Sequence, residues 1–242
     1  SAPPLSAPFP LHQLQPNPTM SKSASGQPAK KVFIVDDHPV FRDGLVRIAA
    51  ATPGLVVCGE ADNARDAFAA ISKLNPDLVL MDINLPGKSG LELLQDVHAM
   101  RPELPVLVIS MHDEQLYAER VLRAGGRGYI MKQEGPDKMR EAMTKVLNGQ
   151  VYASERTAGA ILDALSRPRS SASTSTVGKL TDRELEVLRL TGQGKDNRAI
   201  AQDLHISLKT VDTHRGHIKE KLGLKNGTEL IHYAVRWVGE QV

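Results

Sequence analysis

Apolar and polar positions follow two different patterns along this chain. Between Lys30 and about residue 150, short unbroken apolar runs alternate with stretches whose apolar residues recur every third or fourth position. The strands are Val32–Asp36, about Leu55–Glu60, Leu78–Asp82, Val106–Ser110 and Gly128–Met131, and the runs from Val32 and from Leu78 to Met81 read as buried on both faces. The helical stretches start near Pro39, Asp62, Ser89, Asp113 and Pro136, with Asp or Ser at capping positions and Pro at first turns. This alternation implies right-handed crossovers. It predicts an α/β doubly wound, five-stranded parallel sheet of flavodoxin-like type with helices on both faces. One more helix is expected at about Ser154–Leu165.

From Leu180 onward every apolar period is helical, which predicts a separate C-terminal all-α domain over 180–242. Thr181 and Glu184 form a capping box ahead of Leu185, Leu188 and Leu190, and Gly192 and Gly194 end that helix. A short helix carrying Ile200 and Leu204 then meets a tight His205-Ile206-Ser207 turn and a second helix with Val211, Ile218 and Leu222 inward. That is a helix-turn-helix pattern. The opposite face of the second helix carries Lys209, Asp212, Arg215, Gly216 and Lys219, with Thr213 beside them and Thr210 on the adjoining turn, and suits a major groove. A last helix, Thr228–Val238, has apolar residues on most turns and offers a dimer contact.

Two segments lie outside these patterns. Residues 1–29 are rich in Pro, Ser and Ala, contain no acidic residue, and are expected to be a disordered N-terminal extension. Residues 166–179 form a Ser/Thr-rich tether with a reach of roughly 20 Å as a coil. The expected organisation is therefore 1–29 extension, 30–150 first domain, 151–179 connecting helix and flexible linker, and 180–242 second domain.

Composition narrows the class of protein. The 242 residues carry 30 Lys plus Arg against 28 Asp plus Glu, an ordinary balance for a globular chain. The single cysteine, Cys58, cannot form an intramolecular disulfide, and a reducing, cytoplasmic setting is the natural expectation. No apolar stretch is long enough to span a bilayer, so no membrane partner is expected. His98, His112, His205 and His232 show no metal-ligand spacing, and no zinc is expected. His38 reads as a local polar contact at a helix start, and His214, between Val211 and Ile218, as a packed residue.

Candidate chemistry gathers at the strand ends, where open α/β sheets place their reactive groups. Asp82 ends the third run, and Pro86 and Gly87 turn the chain after it, so Asp82 is the candidate nucleophile. Asp36 and Asp37 end the first run, Ser110 the fourth and Lys132 the fifth. Each alone also fits an ordinary strand end or a solvated loop. Four runs delivering polar groups to one edge make a site the stronger reading.

With these residues assembled, the first unit resembles a response-regulator receiver domain. The second resembles the LuxR/NarL-type four-helix DNA-binding domain, through Leu180-Thr-Asp-Arg-Glu-Leu-Glu-Val-Leu188 and Thr210-Val-Asp-Thr-His-Arg215. The resemblance implies a transcription factor switched when a sensor histidine kinase transfers a phosphoryl group to Asp82. It implies Mg2+ held by Asp37, Asp82 and the backbone carbonyl of Asn84, with Asp36 acting through water, since magnesium takes oxygen ligands and keeps several waters. Lys132 would pair with a phosphoryl oxygen, and Ser110 would donate a hydroxyl and move toward the phosphoryl group while Tyr129 changes rotamer. Double-stranded promoter DNA and a second copy of the chain, as a homodimer on phosphorylation, are the implied partners. Met111, directly after Ser110, is expected to shield the phosphoryl group from water.

Two alternatives stay open at this level. A haloacid-dehalogenase-type phosphatase also uses a strand-end Asp nucleophile, but needs a second Asp two residues on, where this chain has Asn84. A helical protein-interaction module remains compatible with residues 179–242, whose 11 basic and 9 acidic residues leave a net charge of only +2.

Overall fold

The computed structural model describes residues 28–111, 114–154, 157, 159 and 176–240. The first domain alternates β1 (Lys30–Val35), α1 (Pro39–Ala50), β2 (Leu55–Ala61), α2 (Ala64–Leu74), β3 (Leu78–Asp82), α3 (Gly90–Met100), β4 (Val106–Ser110), α4 (Glu114–Arg123), β5 (Gly128–Met131) and α5 (Pro136–Leu147). The strands form one sheet in the order β2-β1-β3-β4-β5, all pairs parallel. The strand order reverses between β1 and β3, and the carboxyl ends of those two strands border the crevice where α/β sheets bind ligands.

Period-2 alternation within the central strands separates two cores. Val32, Ile34, Leu80, Leu107, Ile109 and Ile130 face α1 and α5, where Leu45, Met139 and Met143 meet them. Phe33, Val35, Val79, Met81 and Val108 face the other way, onto Ile71, Leu91, Leu94 and Tyr117. Each such fully buried side chain contributes roughly 1.5–3 kcal/mol, which fixes the register and hence the strand ends.

Beyond a 3-10 turn at Thr176–Lys179, the second domain consists of α6 (Asp182–Gly192), α7 (Asn197–Asp203), α8 (Leu208–Leu222) and α9 (Gly227–Gly239). The capping box is present: the Thr181 side chain accepts from Glu184 N, and the Glu184 carboxylate accepts from Thr181 N at 2.7 Å. His205, in the turn between α7 and α8, takes a left-handed φ of 51°. Gly192 lets α6 press on α9, since a Cβ there would fall 2.4 Å from the Ala234 carbonyl oxygen. The core on the α2–α4 side of the sheet continues into this domain through Val177, Leu185, Val187, Leu190, Val211 and Trp237.

Two expectations need adjustment. The tether does not run to residue 179, because Val177 is buried and Thr176–Lys179 is ordered against α8. Backbone pairing continues just past residue 150, where Tyr152 exchanges hydrogen bonds with Arg127 and Tyr129 along the edge of β5. The helix α2 begins at Ala64, because the Asn63 side chain, rather than Asp62, accepts from Asp66 N. The extension through residue 27 and nearly all of the connecting helix and linker up to 175 lie outside the described residues.

Candidate functional site

The parallel register brings the strand ends together. Asp82 pairs with Ile109 and Ser110 with Met131, so β3, β4 and β5 finish level, and β1 ends one residue before Asp36. Asp36, Asp37, His38 and Asp82 each offer a ligand atom within 4.8 Å of the others. Lys132 Nζ enters this group from β5, 2.6 Å from Asp82 Oδ2 and 2.7 Å from Asp36 Oδ2, with its ammonium 4.6 Å from the centre of the Phe41 ring. The loop after Asp82 folds back, and the Asn84 N–H donates to Asp82 Oδ1 at 3.2 Å. Ser110 and Tyr129 are buried on the neighbouring strands.

Helix α3 starts directly beneath this loop. A Cβ at Gly90 would fall 1.9 Å from the Asp82 carbonyl oxygen, so only glycine lets α3 begin here, and Gly90 N donates to the Ile83 carbonyl at 2.7 Å. Ser89 and Glu92 close a capping box around that start. Sequence patterning singles out Ser89 and passes over Gly90, because a close backbone approach leaves no periodic signal.

The electrostatics are those of crowded carboxylates. Burial raises the Asp82 carboxyl to about 6, Lys132 pulls it down, and Asp36 pushes it up again. Lys132 is pulled down by its own burial, but Asp82 and Asp36 more than offset this and its pKa rises. The two results agree that the ammonium stays charged and that the burden of burial falls on Asp82. Asp37 Oδ1 sits 2.6 Å from His38 Nδ1 without the geometry of a hydrogen bond. A site with three carboxylates, one cation and such an oxygen fits a hard divalent cation with oxygen ligands. His38 lies beside Asp37 and also joins the candidate ligand cluster.

Residues from the second domain roof this pocket. A cleft of about 470 Å³ is lined by Asp37, His38 and Asn84 on one side and by Arg189, Gln193, Lys195 and His205 on the other. His205 Nε2 lies 3.6 Å from Asp37 Oδ2. Spacing along the sequence gives His205 no role, because its neighbour belongs to a different domain. Met111 is exposed and lines a separate apolar groove with Val40, Phe41 and Lys132.

On α8, Val211 and Ile218 are buried and Lys209, Asp212 and Thr213 are exposed, while Thr210, Arg215, Gly216 and Lys219 are half-buried. Asp212 and Arg215 do not bond each other. Asn197 stands between them, accepting from Arg215 Nη1 and donating to Asp212 Oδ1, both at 2.6 Å. His214 is half-buried, and burial lowers its pKa. The Glu184 carboxylate ties α8 to α6 through Lys221 at 2.6 Å.

Comparison with known proteins agrees with this geometry. Residues 32–144 match the response regulator receiver domain, and residues 178–234 match the bacterial regulatory proteins of the luxR family. The transcriptional regulatory protein DegU of Brevibacillus brevis is 33% identical over 223 residues, covering 86% of this chain and 94% of DegU. The oxygen regulatory protein NreC of Staphylococcus aureus is 34% identical over 210 residues, covering 85% and 97%. A LuxR-family two-component response regulator from Aurantimonas sp. SI85-9A1 superposes with a TM-score of 0.53 at 29% identity over 57% of this chain and 99% of that one. RcsB of Salmonella typhimurium shares the fold, with a TM-score of 0.60 at 24% identity over 87% and 98%. With both domains matched in this order, and relatives at a third identity along most of their length, the chain belongs to the two-component response regulators of the NarL/LuxR type, transcriptional regulators that join a receiver to a DNA-binding domain.

Proposed function

We propose that Asp82 is the phosphoacceptor and that its phosphorylation by a sensor histidine kinase controls dimerisation and promoter binding. The observation that carries this reading is the meeting of Asp82, Asp36, Asp37 and Lys132 at the carboxyl edge of the sheet. One Asp82 carboxylate oxygen attacks the phosphorus of a phosphohistidine, the P–N bond breaks, and the imidazole nitrogen keeps the electron pair and takes a proton. The product is an acyl phosphate. Lys132 holds a positive charge beside the transferred oxygens, and Ser110 supplies a hydroxyl donor at the neighbouring strand end. Asp37, Asp82 and the Asn84 carbonyl would hold Mg2+, with Asp36 acting through water; when bound, the ion neutralises charge on the phosphoryl oxygens. Tyr129 is the proposed switch on β5. Apart from self-catalysed gain and loss of this group the chain is not an enzyme, and the absence of any described helix able to cross a membrane suits work in the cytoplasm.

The proposed output is double-stranded DNA read by α8 through Lys209, Thr210, Asp212, Thr213, Arg215, Gly216 and Lys219. RcsB, whose fold this chain shares, has been solved bound to the promoter rprA in the presence of the phosphomimetic BeF3⁻. Ile231 and Val235, exposed on α9, suit a contact between two copies. The proposed units are 30–150 as receiver and 180–242 as DNA-binding domain, with Tyr152 and Val177 added at their borders.

The direct test is labelling by a phosphodonor. Asp82→Asn abolishes acid-stable, hydroxylamine-labile label, because an amide oxygen is a poor nucleophile. Full stoichiometry in that variant moves the site elsewhere. Asp37→Ala weakens Mg2+ binding by calorimetry, and unchanged affinity removes Asp37 from the ligand set.

A further inference from the structure

A second buried charge cluster lies between the two domains, sharing Arg189 with the wall of the acidic cleft. Glu186, on α6, is fully buried and bonded to Arg183 Nη1 at 2.7 Å. Arg183 Nη2 crosses to the receiver and donates to the carbonyl oxygens of Leu85 and Gly87, each at 3.0 Å, in the loop that follows Asp82. Arg120 crosses in the opposite direction. From α4 it bonds Asp182 Oδ1 and the Leu180 carbonyl at 2.9 Å, and the Val177 carbonyl at 3.3 Å. Tyr117, on α4, is fully buried against the same cluster.

This arrangement leaves a mismatch. The second carboxylate oxygen of Glu186, Oε1, accepts no hydrogen bond, and Arg189 Nε on the same helix has no acceptor. The charged groups facing Glu186 are Asp182, Arg183 and Arg189 from α6, while α4 presents the Tyr117 hydroxyl. An ionised carboxylate with one oxygen unsatisfied and sealed from water is disfavoured against its protonated form. Its exposure depends on whether the domains are together, because the cluster is closed by receiver residues.

We propose that Arg183 and Glu186 form a proton-sensitive latch, in which separation of the DNA-binding domain from the receiver is accompanied by loss of a proton from Glu186. Burial pushes this carboxyl up to about 7 in the docked form, against the pull of Arg183 and Arg189. On separation, water reaches Glu186 and its pKa returns toward the ordinary glutamate value of about 4.3. The docked form thus binds more protons wherever the two values differ. Docking is favoured as pH falls, and this contribution fades as pH rises through the docked value. Linkage then makes the docked-to-separated ratio fall about tenfold between pH 6 and pH 8. The latch stands independently of phosphorylation; only its effect on DNA binding rests on the proposed function.

The test uses the full chain without phosphodonor or Mg2+. Dyes on Glu103→Cys and Arg198→Cys in a Cys58→Ser background report domain separation by energy transfer. The separated fraction rises about tenfold relative to docked from pH 6 to pH 8, and in Glu186→Gln, whose side chain stays neutral, the ratio is flat. His205→Gln controls for the His205–Asp37 contact at the same interface and leaves the slope in place. A flat parent chain, a slope that survives Glu186→Gln, or a slope lost only in His205→Gln overturns the proposal. A second readout needs no change at Glu186. Its carboxyl carbon resonance titrates near neutrality in the unaltered chain and shifts toward the ordinary range in Arg120→Glu, which breaks the opposing arm. A midpoint already in the ordinary range in the unaltered chain also overturns it.

Discussion

Asp82 carries a conflict that the folded chain holds in place through Lys132. Its carboxyl titrates at about 6 because burial outweighs the ammonium beside it, whereas an unfolded Asp titrates near 3.9. The folded state therefore binds more protons between these values, and stability from this group is lost as pH rises from about 4 to about 6. Asp82→Asn removes that term and is expected to stabilise the cation-free chain at pH 7 by about 1–3 kcal/mol, with the gain shrinking toward pH 4. Thermal unfolding of both proteins without and with Mg2+ measures it; a variant less stable than its parent at pH 7 contradicts the assignment of the burden to Asp82. On α8 the relevant residue is Arg215, held by Asn197, which is itself tied to Asp212. Arg215→Ala is expected to lose about 1–3 kcal/mol on a specific duplex and little on scrambled DNA. Asp212→Lys is expected to raise affinity for every duplex, steepen the salt slope by roughly one to two phosphate contacts and lower the specific ratio. Equal losses on both duplexes would make Arg215 a phosphate contact only.

At the scale of elements, the sheet was legible because each central strand is an unbroken apolar run that stops at a polar residue. Asp36, Asp82, Ser110 and Lys132 could be aligned from sequence because a parallel register carries strand ends to one edge. The helix-turn-helix was legible from Ile200, Val211 and Ile218, all buried. What patterning missed depends on contacts between elements far apart in sequence. Arg183 and Glu186 belong to the Leu180–Leu188 motif, yet nothing in its pattern places them at the domain boundary, where both are buried. Val177 lies in the stretch read as a Ser/Thr-rich tether, and Gly90 directly follows the helix start at Ser89 without a signal of its own. Gly90 gives a prediction at this scale. Gly90→Ala forces α3 away from the Asp82 carbonyl, and is expected to destabilise the fold by about 1–3 kcal/mol and to slow phosphorylation at Asp82. Labelling at the parental rate with unchanged thermal stability would show that α3 can shift without disturbing the loop.

For the whole molecule, the docked arrangement ties the receiver to the DNA-binding domain by three routes: Arg183 to Leu85 and Gly87, Arg120 to Asp182, and His205 to Asp37. Two of these touch the loop after Asp82 or the acidic cluster itself, so on the proposed function a phosphoryl group and cation at Asp82 would alter the surface on which the second domain rests. An equilibrium between two domain arrangements shifts only as far as the ligand distinguishes them, and on the proposed function these contacts are where it would do so. The apolar residues Ile231 and Val235 are already exposed on α9, and in the proposed dimer two α8 helices on half-sites would raise affinity through effective concentration. The most direct measurement is sedimentation velocity of the full chain with Mg2+, with and without beryllofluoride. The account predicts a shift from monomer to dimer on adding beryllofluoride, absent in Asp82→Asn. The same sedimentation coefficient in both conditions, or an equal shift in Asp82→Asn, would contradict it.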